Sequence, residues 1–295
     1  MRFDGCWSPL GAGIDDPALR ASYAYCRQMT LAREGALFGA GAGCVPSERR
    51  PHLWAWVQAV VHPDDLLDTD GPTAVRRADF DAWAGLVRDA VARGETPDPV
   101  ARAWLHTMRS CGIDPAGYLA WLAALRADLT TTGYATYADL ERYVADVAVP
   151  FTDWLLRVLD LPADRLREHC ALLARAQQLT NFIRDTGDDA RRLGRVYLPG
   201  EDLDRFGVTP ADLCRSRATP AVRALIHFET ERAHPLWTEC RAALPALPFR
   251  IQVVWTMGIT YYEEILRAIA RHDYDVLAAT RRGPTPVWPA ATRQA

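Results

Sequence analysis

The chain has 295 residues, 49% hydrophobic and 24% charged, an ordinary balance for a soluble globular protein with enough length to bury a large core. Net charge is −3, from 34 basic residues (every one arginine) and 37 acidic ones interleaved along the sequence, so no basic stripe exists and nucleic-acid binding is not expected. The seven cysteines, Cys6, Cys26, Cys44, Cys111, Cys170, Cys214 and Cys240, are odd in number and never spaced C-x-x-C, which argues against a structural zinc site and a disulfide framework. No charged-then-apolar leader opens the sequence, and no apolar run reaches the roughly 18 residues of a membrane span. The expected setting is a reducing cytoplasm.

Helix punctuation starts at Asp16-Pro17, where a capping side chain precedes proline at the first helical position, and Gly35 is the expected stop. Phe80, Trp83, Val87 and Ala90 recur at helical spacing, the stripe of a helix that ends at Gly94. Asp98-Pro99 and Asp114-Pro115 open two more helices, the first closed by Gly112. Thr136 with Asp139 has the form of a capping box, with Asp in place of Glu or Gln. Thr209-Pro210 and Thr219-Pro220 start the later helices. Apolar stripes follow, first Val222, Ile226, Ala233 and Trp237, then Trp255, Ile259, Tyr262, Ile265 and Ile269. No alternating strand, hairpin turn or internal repeat is present. Length alone predicts two domains of roughly 150 residues each. The absence of any linker-like gap predicts instead one all-α domain over 1–295, of about nine or ten helices, with a Pro-rich tail from about residue 283.

Two acidic clusters depart from ordinary amphipathic helix. In His62-Pro63-Asp64-Asp65-Leu66-Leu67-Asp68, the spacing puts Asp64 and Asp68 on one helical face; taken alone, a solvated acidic face explains them equally well. In the second cluster Asn181, Asp185 and Asp189 stand at i, i+4 and i+8, drifting only about 40° per step, so three oxygen-bearing side chains form one row. Arg191, Arg192 and Arg195 follow closely, so exposed Arg–Asp pairing is the competing explanation. Oxygen ligands without His or Cys suit a hard cation, Mg²⁺ or Mn²⁺, better than zinc. Two such clusters facing one another are what removal of a diphosphate requires.

At these residues the sequence resembles the squalene/phytoene synthase family. Gln178-Leu179-Thr180-Asn181, Arg184-Asp185, Gly187-Asp188-Asp189 and Gly194-Arg195-Val196-Tyr197-Leu198-Pro199 match its second aspartate motif, and Asp64-Asp65-Leu66-Leu67-Asp68 its first. Tyr25-Cys26-Arg27, Phe38 to Arg50, Tyr143 to Ala148 and Tyr262 to Val276 extend the likeness over most of the chain. The resemblance implies an all-α isoprenoid-synthase bundle around a central apolar cavity, and usually the head-to-head joining of two farnesyl or geranylgeranyl diphosphates. It implies that Asp64 and Asp68 hold metal on one wall, and Asn181, Asp185 and Asp189 on the other. Arg184, Arg195 and Arg281 would face diphosphate oxygens, and Tyr262 would stand by the reacting end. Tyr143, Phe38 and Phe151 would line the cavity, where aromatic faces favour cations. NADPH, used in the squalene branch, is not expected.

Departures from the family pattern cluster. Val61 replaces an arginine, Leu37 a serine, and Val149-Pro150-Phe151-Thr152 stands where the family has Gly-x-Val-Gly. Pro150 is expected to kink or break its helix, as the matching helix is broken in class I terpene cyclases, and Pro63 to add a second break just before Asp64. Lost polar groups and filled volume, with both metal clusters kept, favour an enzyme that ionises one C15 or C20 isoprenyl diphosphate and cyclises the cation. Head-to-head coupling is the alternative, and a non-catalytic prenyl-diphosphate-binding subunit the third. A peripheral membrane contact for an apolar product would suit any of them.

Overall fold

The structure, a computed structural model, describes residues 13–69, 71–278, 280–282 and 285–287. The chain divides into two compact units, residues 1–129 with 149–168, and residues 130–148 with 169–295, so the crossings fall inside helices rather than in linkers. The helices of the first unit are α1 (Pro17–Ala42), α2 (Arg50–Asp68), α3 (Thr73–Arg93), α4 (Pro99–Cys111) and α5 (Pro115–Arg126). It also takes the end of α6 (Tyr137–Val158) and the start of α7 (Ala163–Asp188). The second unit holds the rest of α6 and α7, then α8 (Gly200–Phe206), α9 (Pro210–Leu213), α10 (Pro220–Ala243) and α11 (Phe249–Arg271). All five cap–proline pairs are realised: Asp16, Asp98, Asp114, Thr209 and Thr219 each accept from a first-turn amide of the helix they precede. The Thr136–Asp139 box also forms in both directions.

Several expectations need correction. Eleven α-helices stand among the described residues; α8, of 7 residues, is too short to show an apolar repeat, and α9, of 4, is marked only by its Thr209-Pro210 start. Two three-residue strands, β1 (Thr280–Arg282) and β2 (Thr285–Val287), pair antiparallel near the end of an otherwise helical chain. Gly35 does not stop α1, which continues to Ala42. Neither Pro63 nor Pro150 breaks its helix: α2 runs through the first and α6 through the second. At Pro63 the reason is visible. The missing N–H would have reached the Ala59 carbonyl, and the buried Tyr118 hydroxyl donates to that carbonyl instead, at 2.7 Å. The helix therefore loses a backbone bond and gains a side-chain one.

The core of the first unit is aromatic. Tyr118 meets Trp104 at 5.3 Å, Trp121 at 5.6 Å and Trp154 at 5.4 Å between ring centroids. Beside it the Tyr23 hydroxyl gathers His52, His106 and Thr107 between 2.8 and 3.1 Å, tying α1, α2 and α4 together. Burial pushes His52 down to about 4, so its imidazole is neutral at physiological pH. In the second unit α10 packs on α11, burying Val222, Leu225, Ile226, Ala233 and Trp237 with Ile259, Ile265, Leu266 and Ile269. Among the described residues no helix is long and apolar enough to cross a membrane.

Candidate active site

The second acidic motif lies at the C-terminal end of α7 and in the turn after it. The regular helix ends at Asp188, and Asp189–Leu193 form a π-type turn closed by Gly194 in the left-handed region at φ 66°. The row expected at i, i+4 and i+8 thus keeps α-helical spacing only to Asp188, and Asp189 begins the widened turn. Such turns are uncommon and concentrate at functional sites. The Asp189 carbonyl accepts from the Arg195 amide at 3.1 Å, which starts the segment carrying Arg195 and Tyr197.

Asp185 and Asp189 are buried. Arg184 grips its own neighbour Asp185 with both arms of its fork, Nε to Oδ1 at 2.7 Å and Nη2 to Oδ2 at 2.5 Å. Their side chains are 7% and 11% exposed, so this is a buried ion pair and not the exposed pairing that the sequence left open. Asp188 with Arg191, each 33% exposed, is closer to that description. Asn181 completes the row from one turn upstream, and its Oδ1 is buried with no hydrogen-bond partner.

Tyr262 on α11 closes this end of the site. Burial pushes its hydroxyl pKa up, against the pull of the Arg184 charge and a hydrogen bond from Asn181. Its ring stacks on Trp237 of α10, 5.2 Å between centroids and 18° from parallel. An aromatic wall stands nearby in sequence: Tyr143 meets Tyr134 at 5.1 Å, Tyr197 at 6.1 Å and Phe182 at 6.4 Å, while Phe182 and Tyr197 stack at 4.5 Å. The buried Arg195 donates from Nη1 to the Tyr197 hydroxyl at 3.2 Å. Tyr134 is held there by its backbone. Val196 and Gly200 donate to the carbonyls of Thr132 and Tyr134 at 2.9 and 2.8 Å, and a Cβ on Gly133 would meet the Val196 carbonyl oxygen at 2.9 Å. Only glycine allows that approach.

In the first unit, Asp64 and Asp68 lie in the last turn of α2, exposed and half-buried respectively, while the neighbouring Asp65 pairs with Arg33 of α1. Arg76 of α3 donates to the Leu67 carbonyl at 2.8 Å. Phe151, half-buried, belongs to the same unit, its ring 6.3 Å from Trp56 and its carbonyl accepting from the Trp56 indole at 2.9 Å. The side chains of Phe38 in α1 and Arg281 in β1 lie outside the described residues.

The second unit therefore brings Asn181, Arg184, Asp185 and Tyr262 together, with Asp189 one turn beyond. Trp237 was legible only as part of an apolar stripe, and Tyr134 carried no signal in the sequence. The donor set fits a hard cation: carboxylate and amide oxygens, one of them buried and unsatisfied. Among the described residues no three His, Cys, Asp or Glu side chains stand together as a metal centre.

Residues 31–289 match the family model for squalene/phytoene synthase. A phytoene synthase from Arthrospira platensis is 32% identical over 92% of this chain and 91% of its own. A 15-cis-phytoene synthase from Synechococcus elongatus is 31% identical over 92% and 90%. Squalene synthase HpnC from Alicyclobacillus acidocaldarius superposes with a TM-score of 0.75 at 30% identity, over 90% of this chain and 98% of that one. A dehydrosqualene synthase in complex with ligand gives 0.75 at 25% identity, over 88% and 89%.

Proposed function

The chain belongs to the squalene/phytoene synthase family, and from that premise we propose that it is a magnesium-dependent prenyltransferase joining two isoprenyl diphosphates head to head. The observation that carries this reading is near full-length likeness to proteins named as phytoene and squalene synthases. It supports coupling over the single-substrate cyclisation expected from the departures at Val61, Leu37 and Pro150. The unbroken α6 removes one of the arguments for cyclisation.

Asn181, Asp185 and Asp189 would hold the magnesium, with Asp64 and Asp68 serving likewise in the first unit; the ion's chemistry there is to screen the charge of a departing diphosphate. Arg184 holds Asp185 with a planar fork suited to phosphoryl oxygens, and it would be available to the diphosphate were that carboxylate to hold the ion. Arg195 supplies a second buried guanidinium. Tyr143 and its ring neighbours would offer aromatic faces to a carbocation, and Tyr262 would stand by the reacting end.

The test is the mass of the product. Purified protein with Mg²⁺ and farnesyl or geranylgeranyl diphosphate is expected to give a hydrocarbon of doubled carbon skeleton. One skeleton's worth of carbon overturns coupling in favour of cyclisation. Tight binding with no diphosphate release selects the non-catalytic binder.

A further inference from the structure

We infer that Trp237 is a positioning residue for the second acidic motif: bonded to Thr180 and stacked on Tyr262, it pins the turn of α7 that carries Asn181. The inference rests on the metal-binding role proposed above for Asn181.

Trp237 is 1% exposed, and its place in an apolar stripe accounts for its burial. Packing does not account for where its one polar atom goes. The indole Nε1 donates to Thr180 Oγ1 at 2.9 Å, and Thr180 in turn donates to the Ala176 carbonyl at 2.8 Å. Trp104, equally buried, leaves the same nitrogen without a hydrogen-bond partner, so an unpaired indole is tolerated elsewhere in this chain.

Thr180 immediately precedes Asn181, and the opposite contact of the indole is the Tyr262 ring, 18° from parallel. Asn181 Oδ1 is buried with no hydrogen-bond partner, and a buried, unsatisfied oxygen is the atom a cation needs. Trp237 holds the turn that carries it from one side, through Thr180, and the Tyr262 ring from the other. Without Trp237 that turn loses its side-chain anchor, and the Asn181 oxygen its fixed place. Outer partners of this kind typically change metal affinity 10–100-fold.

The experiment uses Trp237→Phe, which keeps an aromatic ring and removes the donor, and Thr180→Val, which removes the acceptor and leaves the stack intact. Mn²⁺ is titrated into the full-length protein with saturating inorganic pyrophosphate, and free Mn²⁺ is read by electron paramagnetic resonance. Helical circular dichroism checks folding. Both variants are expected to bind Mn²⁺ roughly tenfold more weakly, and the double variant no more weakly than the worse single one. A folded Thr180→Val protein that binds as tightly as wild type overturns the inference, whatever Trp237→Phe does. A wild-type protein that takes up no Mn²⁺ overturns the metal assignment itself, and this inference with it.

Discussion

Glu229 and Asp202 share one arginine, and their charges do not balance. Arg232 Nη1 donates to Asp202 Oδ2 at 2.7 Å and to Glu229 Oε2 at 2.8 Å, with its guanidinium 4.2 Å above the Tyr137 ring. Glu229 is 0% and Asp202 4% exposed. One guanidinium neutralises one carboxylate, so the more buried acid keeps its proton. Burial, with Asp202 opposing the attraction of Arg232, pushes Glu229 up to about 8.

The sign follows from linkage. In the unfolded chain Glu229 ionises near its ordinary 4.5, whereas the folded chain retains the proton to about 8. Stability from this group is therefore full below the lower value and is lost as pH rises through the upper one. At 1.36 kcal/mol per unit, the loss between about pH 6 and pH 8 is about 2 kcal/mol. Glu229→Gln keeps an acceptor for Arg232 and cannot ionise. Urea unfolding of both proteins at about pH 6, 7 and 8 should show wild type losing about 2 kcal/mol relative to the variant. Parallel stability curves over that range would refute the argument, because every other titrating group cancels in the difference.

Asp185→Asn and Asp189→Asn should each lower turnover by more than the roughly hundredfold that loss of an outer metal partner causes, with helical circular dichroism unchanged; full activity in both removes the metal assignment. Tyr118→Phe should destabilise the protein by about 1–3 kcal/mol in urea, since it strips the hydroxyl from the carbonyl that Pro63 leaves without its helix bond. Gly133→Ala forces a Cβ to within 2.9 Å of the Val196 carbonyl oxygen and should speed amide hydrogen exchange at Val196 and Gly200. Unaltered exchange there would mean that the clamp behind Tyr134 relaxes freely.

What the sequence reveals depends on how far each interaction reaches along the chain. The caps at Asp98 and Thr219 act on amides three residues away, so local pattern suffices. Asn181 and Asp185 were legible for the same reason, because one helix carries both at a fixed spacing. Pro63 shows the limit. Local rules predict a break there, and a tyrosine 59 positions from Ala59 repairs it. The π-type turn at Asp189 was equally hidden, its closure depending on a left-handed Gly194 rather than on any repeat. Trp237 was readable as core from its spacing, yet its bond to Thr180 spans 57 positions and leaves no periodic trace. Substitutions read as lost polar groups and filled volume pointed toward a one-substrate reaction, whereas the proteins this chain resembles over most of its length are named as phytoene and squalene synthases.

The placement of the two acidic motifs within their helices carries a common electrostatic cost. Asp64 and Asp68 occupy the last turn of α2, and Asp185 and Asp188 the end of α7. Helix C-termini already carry about half a negative charge, so carboxylates there are disfavoured by roughly 0.3–1 kcal/mol each. The last turn of α2 contains no basic residue, whereas α7 runs on into the π-type turn that carries Arg191 and Arg192. Arginines compensate at both: Arg33 reaches Asp65 and Arg76 the end of α2, while Arg184 takes Asp185 and Arg191 takes Asp188. Such an arrangement is a poor way to stabilise a helix. On the proposed function it has a use: guanidinium rather than ammonium would suit a site where carboxylates take a cation, since a fork that matches a carboxylate also matches a diphosphate.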